Sequence, residues 1–184
     1  DLEELVKEVE RRVRRNKTET DRLVEEVERS VRENRRRIEE LVRRVEKEVR
    51  RIKEDLKRKL SDEDKVRRIL EELDRVLREA RERLKRVEDK NREVLERVRE
   101  LAKESVRRTE DALRRAKELI DNIRDKDVLE KVAREIKRLI EESNRLDKEV
   151  EDEVREMSKD VNRELERIAE EIEKVLRDVE RKLR

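Results

Sequence analysis

Apolar residues recur along this chain at gaps of three and four. The first segment places them at Leu5, Val9, Val13, Leu23, Val27, Val31, Ile38, Leu41, Val45, Val49, Ile52 and Leu56. That spacing lays one apolar stripe along an α-helix. A finer repeat sits inside it. From residues 5, 23 and 41 the chain reads LVKEVERRVRRN, LVEEVERSVREN and LVRRVEKEVRRI, a repeat of 18 residues with five seam positions. Eighteen divided by five is 3.6, the period of a straight α-helix. A heptad seam would impose a left-handed supercoil and an 11-residue repeat a right-handed one. The same interval of 18 relates Leu73, Asn91 and Thr109; Leu84, Ala102 and Ile120; Val132, Val150 and Ile168; and Ile136, Val154 and Ile172. The pattern predicts long, nearly straight, untwisted helices.

Two short interruptions divide the stripe. The first lies at Lys59-Leu60-Ser61-Asp62-Glu63-Asp64, where Ser61 is a good N-cap and the acids behind it suit a helix N-terminus. The second lies near 121–127. There Asp127 with Glu130 resembles a capping box, and Asn122 could take the left-handed conformation that often ends a helix. Helices are therefore expected at about 2–59, 62–121 and 127–183, each about 85–90 Å long at 1.5 Å per residue. Short breaks make consecutive helices antiparallel neighbours. The expected fold is all-α, an antiparallel up-down-up three-helix bundle forming one domain over residues 1–184. The stripe is wide enough for each helix to touch two neighbours, as in Leu5-Val6, Leu23-Val24 and Leu41-Val42. It leaves no second apolar face for a large oligomer interface.

Polar residues interrupt the stripe itself. The repeat calls for apolar side chains where the chain has Asn16, Thr20 and Asn34. The second helix carries Asn91, Ser105 and Thr109 on its stripe. The third carries Ser143 and Ser158, with Asn144 and Asn162 beside the seam. In an up-down-up bundle Asn16 lies level with about residues 106 and 142, near Ser105, Ser143 and Asn144. Thr20 and Thr109 fall within a turn of that level. Asn34 lies level with about residues 88 and 160, near Asn91, Ser158 and Asn162, with Ser30 one turn away. Two buried hydrogen-bond layers are expected, each drawing on all three helices. A buried amide or hydroxyl without a partner costs about 1–3 kcal/mol, so these groups should satisfy one another. Their expected role is to penalise registers that leave them facing Leu or Val. A switchable layer or a small polar pocket is the alternative. Asp147, beside Leu146, is the one carboxylate close to a layer. It is expected on a solvated flank, with a hydrogen bond from Thr20 or Asn144 as the other reading.

Composition narrows the chemistry. The chain has 184 residues, with 57 Lys and Arg against 55 Asp and Glu and a net charge of +2; Gly, Pro, Cys, His and all aromatics are absent. Ordinary usage would supply about 22 Gly and Pro residues in this length. Without Gly there is no phosphate-cradling loop, and without Cys no disulfide or thiolate site. Without His the usual general base and metal ligand are missing. No activated nucleophile is evident beside the stripe serines, so no enzyme activity, catalytic residue, metal or cofactor is expected. Basic runs such as Arg35-Arg36-Arg37 are interleaved with acids, and there are no aromatics to stack on bases, so nucleic-acid binding is not expected. Membrane binding is not expected either, because no apolar run approaches about 18 residues and the polar face is mixed in sign. No signal or transit segment opens the chain. Its start at Asp1 reads as a processed or tag-cleaved chain, with recombinant cytoplasmic expression as the expected source.

The 18-residue repeats, the near-exclusive Glu/Arg/Lys surface and the Asn/Ser/Thr layers in a Leu/Val/Ile seam resemble computationally designed parametric helical bundles. The nearest likeness is to untwisted three-helix bundles carrying hydrogen-bond networks. It covers essentially the whole chain. It implies a stable single-chain scaffold with no evolved activity. The lack of Gly in the loops departs from that family's habit. Spectrin-like repeats are the nearest natural architecture, but they carry buried aromatics. The expected function is thus structural: a monomer needing no partner. A helix-exchanging or partner-binding module, including a domain-swapped oligomer, is the alternative.

Overall fold

The computed structural model describes residues 2–122 and 126–182, with the side chains of Leu2 and of residues 126–129 outside that description. Three α-helices account for nearly all of it: α1 (Leu2–Lys59), α2 (Glu63–Asp121) and α3 (Lys126–Lys182). The protein is an all-α three-helix bundle. Glu3 and Glu4 open α1 and Lys57, Arg58 and Lys59 close it, so both ends carry the charge that the helix dipole favours.

The link at 60–62 needs no glycine. No described residue has a positive φ, so nothing there requires a left-handed conformation. The Leu60 N–H still reaches the Leu56 carbonyl at 3.2 Å, which finishes α1. Asp62, not Ser61, caps α2. Its carboxylate accepts from the N–H of Asp64 at 3.1 Å and of Lys65 at 3.4 Å, and its carbonyl accepts from Val66 at 3.0 Å. The helix begins one residue later than the sequence suggests. A carboxylate brings charge as well as an acceptor to the free N–H groups, which a serine hydroxyl does not. At the other end of α2, Asn122 is not left-handed. It keeps a negative φ and donates its N–H to Glu118 at 3.2 Å, extending the helical pattern by one bond. The Asp127 cap and the rest of that turn fall outside the described side chains.

Packing divides the chain into two compact units, Asp1–Arg29 with Val94–Met157, and Ser30–Glu93 with Ser158–Arg184. Each unit holds a segment of all three helices. In the first, Val9, Ala116, Val132 and Ile136 form a buried cluster against Leu5, Leu113, Leu119, Ile120 and Ile140. The pairs Glu10–Lys117, Lys17–Glu110 and Glu28–Arg99 show α1 and α2 running antiparallel. Arg115–Glu135 and Ser105–Asp147 show the same for α2 and α3. In the second unit Ile52, Leu56, Leu73, Leu84, Val87, Leu165 and Val179 are among the fully buried core residues. Arg35–Glu88 and Lys53–Asp74 make α1 and α2 antiparallel, and Arg44–Glu173 with Arg51–Glu180 make α1 and α3 parallel. Both units are therefore up-down-up.

Burial follows the 18-residue interval. Val9, Val27 and Val45 are all buried; so are Ala80, Val98 and Ala116, and so are Ile136, Val154 and Ile172. Polar residues share the same rows: Asn16, Asn34 and Ile52 form one, and Ile69, Val87 and Ser105 another. Val175 is the one large apolar side chain exposed among the described residues, and it is only 37% exposed. Among the described residues no helix is long and apolar enough to cross a membrane.

Candidate functional site

Asn16, Ser105, Thr109 and Asp147 form a network in the first unit, and Asn34, Asn91 and Asn162 form one in the second. Asn16, 2% exposed, is the hub of the first. Its Nδ2 donates to Ser105 Oγ at 3.0 Å and to Asp147 Oδ1 at 2.7 Å, joining α1 to both other helices. Ser105 Oγ in turn donates to Asp147 Oδ1 at 2.8 Å. Thr109 Oγ1 lies 3.3 Å from Asn16 Oδ1. That hydroxyl also lies 2.9 Å from the Val106 carbonyl and 3.2 Å from that of Ser105. With one proton it serves one acceptor at a time.

Asp147 is therefore part of the core network and not a solvated flank residue. Neither Thr20 nor Asn144 donates to it among the described residues. The reason is its position on α3. Ile136, Ile140, Ser143, Asp147, Val150 and Val154 follow gaps of four, three, four, three and four, which is the seam itself. A partly buried carboxylate survives there because two neutral donors converge on one of its oxygens.

Thr20 is buried at the expected level but stays out of the cross-helix bonding. Its hydroxyl turns back to the Asn16 carbonyl at 2.8 Å and the Lys17 carbonyl at 3.0 Å. This is the local bond that threonine makes within a helix, and it competes with any partner across the bundle. Ser143 is half-buried with its Oγ sealed from solvent and unpartnered. Asn144 is half-buried and joins no network bond among the described residues.

The second network is simpler. Asn34 Nδ2 donates to Asn162 Oδ1 at 3.0 Å and to Asn91 Oδ1 at 3.4 Å. One amide thus links three helices inside a Val/Ile/Leu core. Asn91 Nδ2 is buried and finds no partner among the described residues. Ser30 and Ser158 are half-buried at this level and make no bond to the layer.

Two open clefts flank the first network. One, of about 410 Å³, lies between α1 and α3 and is lined by Arg12, Asn16, Thr20, Asn144, Asp147 and others. The second, of about 510 Å³, lies between α2 and α3 over Ser105, Thr109, Ser143 and Asp147. Among the described residues no group of acidic side chains is arranged to hold a metal ion. No family model, curated protein or solved structure matches the chain.

Proposed function

We propose that this chain is a computationally designed structural scaffold with no evolved biochemical activity, in which the buried polar layers specify register and topology. One observation carries the reading. In each unit, side chains from all three helices hydrogen-bond to one another inside an otherwise apolar core. Such bonds contribute little net stability, because water satisfies the same groups in the unfolded chain. They are costly to break in a wrong register, because each orphaned group keeps its full desolvation penalty.

The reading includes straight helices. Rows of residues 18 apart stay buried over 36 residues, as in Val9, Val27 and Val45. A heptad seam drifts about 20° per heptad against a straight helix, or about 100° over that distance, and would carry such a row off the core face. It also includes a monomeric state, supported by the absence of a second apolar face among the described residues.

A composition-neutral exchange tests the central point. L73N/N91L moves one asparagine by a single 18-residue step along α2, keeping content and stripe intact. The reading expects a loss of about 2–6 kcal/mol, from two newly mismatched core levels at about 1–3 kcal/mol each. Unchanged unfolding free energy would mean that placement of the polar groups specifies nothing.

A second reading is a helix-exchanging interaction module. The unpartnered Asn91 amide favours it, since it weakens the packing of its own layer. Mass that rises with concentration for the unaltered chain would support this reading.

A further inference from the structure

Burial along α3 is uneven. Between Ile136 and Val154 none of its side chains is fully buried. Leu139, Ile140, Ser143, Leu146, Asp147 and Val150 face the core there, and all are half-buried. In the second unit the same helix buries Val161, Leu165, Ile168, Ile172, Leu176 and Val179. The cause lies opposite the segment. Ser105, Thr109 and Ala112 face it from α2, and such short side chains fill little space. Clefts of about 410 and 510 Å³ flank it. Atoms that line a void lose packing contacts on that side.

Polar fastening is equally sparse. Among the described residues, the only hydrogen bonds or ion pairs from 137–153 to another helix are those that Asp147 accepts from Asn16 and Ser105. In the second unit Glu164, Glu171, Glu173, Glu180 and Lys182 of α3 each pair with α1 or α2. Two desolvated atoms also oppose closure. Arg12 Nε and Ser143 Oγ are buried without a partner, and both residues line one small void with Val13, Thr109, Leu139 and Ile140. Water satisfies both once the segment lifts, which removes a penalty carried by the closed state.

We infer that residues 137–153 of α3 form a strap that opens locally while α1, α2 and the rest of α3 stay folded, and that Asp147 is its latch. Buried Val132 and Ile136 on one side and Val154 on the other anchor it, so it does not lift as a rigid rod. A short helical stretch owes most of its stability to packing, so the strap unwinds as it detaches. Opening bares the face of α1 and α2 that carries Val13, Asn16, Ser105 and Thr109. The first polar layer is then a fastener for a movable segment, a role beyond fixing register.

Native-state amide hydrogen exchange of the whole chain tests this. Amides at 139–150 should be protected about tenfold less, or weaker still, than those at 163–176 of the same helix and those at 9–20 of α1. Asp147→Ala should speed exchange at 139–150 about tenfold and leave 163–176 within about twofold. Should that variant not fold, single thiols decide, since the chain has no cysteine of its own. Val13 and Val49 are both buried, lie on one row of α1 and stand about equally far from its two ends. Val13→Cys should react with a thiol reagent about tenfold faster than Val49→Cys. Protection at 139–150 within about twofold of 163–176 would overturn the proposal. So would exchange at 139–150 and 9–20 in step, which would mean that the whole unit opens, and so would equal thiol rates or an Asp147→Ala effect spread evenly over α3.

Discussion

At the scale of single residues, what matters is whether a buried polar atom has a partner. Asn16 and Ser143 lie near the same level and should respond oppositely to truncation. Asn16→Val removes the hub and with it the amide donor to Ser105 Oγ and to Asp147, while Thr109 keeps the Val106 and Ser105 carbonyls. A loss of about 1–3 kcal/mol is expected in denaturant unfolding. Ser143→Ala removes a hydroxyl that has no partner to lose, and stability should stay within about 0.5 kcal/mol or rise. Equal losses for the two would mean that bonding in the layer does not control its energy. The hub asparagines were legible in the sequence because amides on an apolar stripe are rare and line up in height. Asp147 was less legible. Its seam spacing was available, but a carboxylate in a chain so rich in acids reads first as solvated. Which way a hydroxyl turns was not legible at all. Thr20 and Thr109 look alike in the sequence, yet Thr20 bonds to the Asn16 backbone carbonyl and only Thr109 comes within reach of the Asn16 side chain.

At the scale of elements, the helices and their breaks follow from the apolar period, and helix ends from local capping chemistry. The sequence places α1 and the end of α2 closely. It mistakes the cap at the first break, because Ser61 and Asp62 are adjacent and both are good caps. Asp62→Ala should cost about 1 kcal/mol and Ser61→Ala much less, by thermal or denaturant unfolding. The reverse order would return the cap to Ser61. Between α2 and α3, Glu171 accepts from Arg83, and this hydrogen bond holds its carboxyl below the ordinary glutamate value. A lowered folded value means that the pair's contribution is complete above the unfolded carboxylate pKa. It fades as pH falls through the folded one. Arg83→Ala should move the Glu171 titration, followed by side-chain NMR, back up toward the ordinary value. An unmoved titration would mean that the pair is not formed in solution. The many other exposed pairs are worth about 0–1 kcal/mol each and serve mainly to keep a highly charged surface balanced.

At the scale of the whole molecule, the proposed function divides two tasks between two kinds of residue. Rows of Val, Leu and Ile supply the burial that holds the bundle together, and they would tolerate several alternative registers. In that proposal the asparagine, serine and threonine layers select among those alternatives at little net gain in stability. The most direct test is the light-scattering mass of N34V/N91V/N162V beside that of the unaltered chain, over a hundredfold concentration range. The unaltered chain should hold at 22.8 kDa. The variant, with the same helix content and no lower stability, should spread to multiples of that mass as exchanged registers become accessible. A variant that stays at a single monomeric mass would contradict the claim that this layer specifies how the helices pair.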